Sequence, residues 1–201
     1  MNFVETPIQA MRSAVEMFVF SCFLNDAIGA NRITLSIFSQ QIELQDDGKG
    51  LVIKQGFTDE QLKADARNLV LMALASTALA TDKAMDIVCG AKNPDDTSDL
   101  GSARAIIYQI RCAFAHDLLV PIWSPKSKYK HTYRVTVNVP RESGAATPRT
   151  IQLDMPFLGG KHLSIADFGN LGGYWALLQY CFDKVQSDAK GDMPYPPPVE
   201  D

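Results

Sequence analysis

Cysteine is sparse in this chain and never clustered. Cys22, Cys89, Cys112 and Cys181 form no C-x-x-C pair. That scatter argues against a zinc site and against a disulfide scaffold, and it suits a reducing, cytoplasmic compartment. Long apolar runs are missing too. Met17 to Leu24 (MFVFSCFL) is strongly apolar but bracketed by Arg12, Glu16 and Asp26, and it falls far short of the roughly 20 residues that span a bilayer. It lacks the basic start and small-residue cleavage site of a signal peptide. A buried amphipathic helix is expected there, with no membrane partner. A large charge of one sign is also absent: the net charge of -4 gives no global pull on nucleic acid, so any such contact must be local.

Most catalytic signatures are missing as well. Gly160-Lys161 lacks a phosphate loop, because Met155 stands where the upstream glycine belongs and His162 follows. Asp167-Phe168-Gly169 copies a kinase triplet without the glycine-rich loop or catalytic loop that should precede it. Gly169, Gly172 and Gly173 have the wrong spacing for a dinucleotide fingerprint. Neither G-x-S-x-G nor H-E-x-x-H occurs, and no internal repeat is visible. No metal and no cofactor are expected.

What is present is an ordinary globular composition, 46% apolar and 21% charged over 201 residues, enough to bury a real core. Pro7 suits the first turn of a helix running to about Asp26, and Ile8, Met11, Val15, Phe18 and Cys22 keep the 3-4 spacing of one buried face. Residues 31–57 alternate apolar and polar side chains in places, which fits a strand or a loop. Thr58 followed by Asp59, Glu60 and Gln61 is a capping-box pattern, and residues 62–88 run on without proline or glycine to Gly90. Leu69 to Ala80 is apolar nearly all round, as at the centre of a bundle. A third helix starts near Ser98 or Asp99 and must end before Pro121.

Beyond it Tyr133, Val135, Val137 and Val139 alternate with polar residues, Ser143, Gly144 and Pro148 mark a loop, and Ile151, Leu153 and Met155 alternate again. These features predict a β-hairpin over 131–156. Leu171, Trp175, Leu178, Phe182 and Val185 form a 4-3-4-3 packing face on a last helix over about 170–187. The expected fold is therefore mainly α: a bundle of helices with an inserted β-hairpin, one domain over 1–190. A proline-rich, polyproline-like tail follows at 191–201.

Asp82 and Asp86, at i and i+4, share a helix face. They suit acid–base work or a cation; the plainer reading is a solvated helix end helped by Lys83. His131 and His162 read as solvent-exposed. Arg111 and His116 are the notable pair, because they interrupt an otherwise apolar helix. Five helical steps turn about 500°, leaving the side chains about 140° apart. Either the helix loosens near His116, or both face a cleft shared with a second copy. In a last turn, unpaired carbonyls favour the imidazolium. A proton-moving histidine beside an obligate cation suits phosphate-ester chemistry. The alternative is structural: Arg111 pairs with a core acid such as Asp82 or Asp86, and His116 caps the helix end.

Arg111-Cys112-Ala113-Phe114-Ala115-His116, near the end of a late helix with a long helix before it, resembles the R-x4-6-H hallmark of the HEPN superfamily. Ala115-His116-Asp117 followed by Pro121 and Trp123 is similar to bacterial HEPN-like proteins. The resemblance covers residues 7–123 and 164–187 and leaves the hairpin as an embellishment. It implies an antiparallel helical bundle and a homodimer in which two motifs meet. It also implies a metal-independent endoribonuclease, a toxin or defence effector with an antitoxin protein as partner. His116 would then assist attack by the ribose 2′-hydroxyl and Arg111 would stabilise the transition state. Active members usually carry Asn, Asp or His after the arginine; here it is Cys112, a poor hydrogen-bonding substitute. The alternative is a catalytically inactive dimeric module that binds a nucleotide, RNA or a protein.

Residues 124–150 carry six lysines and arginines, Lys128 and Lys130 among them, against Glu142 alone, a local net charge of +5. Lys128 and Lys130 are the candidate substrate-binding residues, with Trp123, Tyr129 and Tyr133 interleaved as candidates for stacking on bases. The same charges also suit an exposed hairpin that must avoid edge pairing.

Overall fold

The computed structural model describes residues 6–34, 36, 42–46, 49–53, 58–139 and 147–188. The proline-rich segment 191–201 and the expected turn residues Ser143 and Gly144 lie outside them. The chain runs α1 (Pro7–Gly29), β1 (Ile42–Asp46), β2 (Lys49–Ile53), α2 (Asp59–Cys89), α3 (Asp99–Phe114), β3 (Thr132–Val139), β4 (Thr147–Asp154), a single turn α4 (Met155–Leu158) and α5 (Asn170–Asp188). The fold is mainly helical, with two separate antiparallel hairpins, β1–β2 and β3–β4. Within residues 31–57, whose pattern fits a strand or a loop, Ile42–Asp46 and Lys49–Ile53 form a short strand pair. No helix among the described residues is long and apolar enough to cross a membrane.

The helix starts follow from local chemistry. Thr6 and Gln9 form a reciprocal capping box ahead of Pro7, and Thr58 and Gln61 form a second one at the start of α2. Ser98 caps α3 by accepting from the Gly101 amide at 3.1 Å. Each cap satisfies amides that a helix cannot pair by itself.

Packing departs from the sequence pattern on three helices. On α1, Met11 and Phe18 are buried as expected, but Met17, Val19, Phe20 and Phe23 face outward. On α2, Val70, Leu74 and Ala78 are buried, whereas Met72 and Leu79 are exposed, so the apolar stretch reaches the surface. On α5 the core is centred on Tyr174, Leu177, Leu178, Cys181 and Val185; Trp175 and Phe182 are only half-buried and Leu171 is exposed. The rotation has a cause: β3 packs against both α3 and α5, widening the arc of α5 that must be apolar.

The β3–β4 hairpin is therefore no embellishment. Tyr133, Val135, Val137, Ile151 and Leu153 belong to the same core cluster as Met11, Leu74 and Ile106. Arg134, Thr136 and Asn138 face solvent, as period-2 alternation requires. Pro148 lies within β4, opposite Asn138, rather than in the turn; a two-stranded sheet has only edges, where a missing amide is tolerated. Asp167-Phe168-Gly169 is structural: Asp167 accepts from Trp123 Nε1 at 3.0 Å, Phe168 is buried, and Gly169 closes the turn at φ 77°.

Candidate functional site

Arg111 lies in the last turn of α3, and helix geometry puts Tyr108, three residues earlier, beside it. Its Nη1 donates to Asp82 Oδ2 on α2 at 2.7 Å. The Asp82 side chain is 2% exposed and that of Arg111 is 42% exposed, so a buried carboxylate holds a cation that reaches the surface. The hydrogen bond to Asp82 raises the Arg111 pKa further above its ordinary value. This pairing matches the structural alternative for Arg111 and corrects the reading of Asp82 as a solvated acid helped by Lys83.

The ion pairs continue past Asp82. Lys92, in the α2–α3 connection, places Nζ 2.9 Å from Asp82 Oδ1 and 2.5 Å from Asp86 Oδ1. Asp86 in turn accepts from Arg104 Nη2 at 3.2 Å, and Arg104 also donates to the Cys89 and Gly90 carbonyls at the end of α2. Lys92 and Arg104 belong to no motif, and only the path of the chain brings them here. Lys92 also sits 5.2 Å above the Tyr108 ring. Burial first, and then a hydrogen bond to Cys112, push the Tyr108 hydroxyl up to about 12.

The helix gives way before His116, one of the two alternatives the spacing leaves open, so His116 does not lie in its last turn. α3 ends at Phe114, where the Ala115 amide is shared between the Arg111 and Cys112 carbonyls at 3.1 and 3.2 Å. His116 follows in the turn, exposed, and does not cap the helix. Among the described residues no hydrogen bond or ion pair joins it to Arg111. Asp117 Oδ1 accepts from the Leu119 and Val120 amides at 2.8 and 2.9 Å, fixing the loop beyond. These bonds hold the Asp117 carboxyl below its ordinary pKa. Leu118, Leu119, Val120 and Ile122 stand exposed beside His116.

Lys128 lies in a 3₁₀ turn (Ser127–Tyr129), with Nζ 5.5 Å from the Tyr129 ring centroid; that ring packs at 4.8 Å on Tyr108, one turn before Arg111. Lys130 is exposed just past this turn, and among the described residues no hydrogen bond or ion pair joins it to the cluster. The expected stacking residues are not available to bases. Trp123, Tyr129 and Tyr133 are 0%, 3% and 1% exposed and form part of the core. His131 and His162 are exposed, as the sequence suggests, with His131 Nε2 3.4 Å from Asp95 Oδ1. Among the described residues no three His, Cys, Asp or Glu side chains converge as a metal site. Compared with known proteins, the chain matches no family model, no curated protein and no solved structure.

Proposed function

We propose that the surface around Arg111 and His116 is a phosphodiester site, and that the chain is a metal-independent endoribonuclease of the HEPN type acting as a homodimer. The observation that carries this reading is the half-exposed Arg111 guanidinium, fixed by buried Asp82 and followed five residues later by an exposed His116 that has no hydrogen-bond partner among the described residues. A held cation and an imidazole are two of the groups that RNA transesterification uses. His116 takes the proton of the 2′-hydroxyl as its oxygen attacks phosphorus. Arg111 stabilises the charge on the phosphoryl oxygens. The 5′-oxygen leaves with a proton from a second histidine, the partner copy's His116, giving a 2′,3′-cyclic phosphate and a 5′-hydroxyl. The exposed apolar residues at 118–122 supply area beside the site for a second copy to cover. A toxin or defence role, with an antitoxin protein as partner, goes with this reading.

One observation favours a second reading, an inactive module of the same shape that binds RNA, a nucleotide or a protein. Cys112 directly follows Arg111, and its thiol is a poor hydrogen-bonding group for chemistry beside that guanidinium. The deciding experiment is cleavage of a mixed RNA pool in EDTA by the wild type and by a folded His116→Ala variant. Cleavage by the wild type alone, with cyclic phosphate ends, supports the nuclease. Thermal stabilisation by RNA or nucleotide with no cleavage supports the binding module. A strict monomer at micromolar concentration that does neither overturns both.

A further inference from the structure

Arg111, Asp82, Lys92, Asp86 and Arg104 form one unbroken chain of alternating charge that links α2, the α2–α3 connection and α3. It holds three cations against two carboxylates. Arg111 spends a single nitrogen on it: Nη1 meets Asp82, while Nε and Nη2 have no protein partner among the described residues. A guanidinium carries five N–H donors, so most of them remain for a ligand.

An arginine paired one-to-one with a carboxylate is a poor phosphate receptor, because the pair is neutral at a short distance. Lys92 changes that balance. It occupies the second oxygen of Asp82 and is itself 12% exposed, too enclosed to serve as a free surface cation. Arg104 holds Asp86 and the carbonyls that end α2, which anchors the segment carrying Lys92.

We propose that Asp82 and Lys92 are positioning residues for Arg111: Asp82 fixes the guanidinium at the surface, and Lys92 cancels the carboxylate so that the positive charge of Arg111 stays available to a phosphodiester. This rests on the phosphodiester reading of the Arg111 site. Asp82 controls geometry, and a shift of about 1 Å costs on the order of 100-fold in rate. Lys92 controls charge; without it the cluster is neutral.

The test measures RNA cleavage, binding of a non-cleavable 2′-deoxy oligonucleotide, and NMR signals of the Arg111 guanidinium assigned through Arg111→Lys. Asp82→Asn is expected to lower kcat about 100-fold with KM within about 3-fold, and to free guanidinium rotation. Lys92→Met is expected to weaken oligonucleotide binding about 10-fold and to reduce the slope of log affinity against log salt by about 1. Lys92→Arg should restore both, as a merely structural role would not require. Wild-type turnover in Asp82→Asn, or unchanged binding in Lys92→Met, overturns the proposal. If Asp82→Asn does not fold, Asp82→Glu replaces it: the added methylene must still cost at least about tenfold in kcat, or the proposal fails. If the wild type neither binds nor cleaves RNA, the phosphodiester reading fails separately. The guanidinium signals then judge Asp82 alone, with unrestricted rotation in the wild type overturning its role.

Discussion

The Asp82–Arg111 bond predicts an asymmetric double-mutant cycle. Arg111→Met removes a half-exposed cation, but Asp82 keeps Lys92 at 2.9 Å and is not left as a lone buried charge. Solvent screening of the lost pair brings its cost to about 1 kcal/mol. Asp82→Asn instead strips the carboxylate from two cations at once. Arg111 can relax into water, and Lys92 retains Asp86 at 2.5 Å. One charged hydrogen bond is worth about 1.5–3 kcal/mol, so about 2 kcal/mol is expected. For a chain of this length each kcal/mol moves the melting temperature by about 2–4 °C, giving drops of about 3 °C and about 6 °C. The double variant should cost little more than Asp82→Asn alone, a coupling of about 1 kcal/mol. Urea unfolding followed by far-ultraviolet circular dichroism measures all four corners. Additivity within about 0.3 kcal/mol would refute the pairing, as would Arg111→Met proving the costlier single change. A folded Arg111→Met protein also makes any loss of RNA cleavage a statement about the site rather than about stability.

Two further tests address the core. The Tyr174 hydroxyl, fully buried, lies 2.6 Å from Thr77 Oγ1 and donates to the Leu74 carbonyl at 3.2 Å. Because Thr77 also bonds the Leu74 carbonyl at 2.8 Å, Tyr174→Phe leaves no orphaned partner and should cost only about 1 kcal/mol in urea unfolding. At Gly173 an added Cβ would fall 1.9 Å from the Phe168 carbonyl oxygen, which is backbone and cannot swing aside. Gly173→Ala should therefore cost more than Tyr174→Phe, about 3 kcal/mol, with α5 displaced at its start; an unchanged midpoint would contradict that close approach.

The local signals in the sequence located the helices and the second hairpin. Capping boxes at Thr6 and Thr58, the Ser98 cap and the 133–137 alternation act over a few residues, so their spacing carries the information. Arg111 was equally visible, because a cation amid Ile107, Ile110, Ala113 and Phe114 stands out in any reading. Which acid held it was not legible. Asp82 lies 29 residues away, and its choice over Asp86 depends on how α2 and α3 pack. Lys92 has no spacing signature at all; the turn between those helices puts it between two carboxylates. The aromatic side chains at 123–133 look equally fit for bases and for core in one dimension. Tertiary structure buried them because the hairpin covers α3 and α5, and the apolar area gained there outweighs leaving the rings in water. The same packing turned Phe20 and Phe23 outward, since α1 meets the rest of the fold along the opposite face, through Met11 and Phe18. Periodicity along a chain fixes which residues can share a face; only the arrangement of neighbouring elements fixes which face is covered.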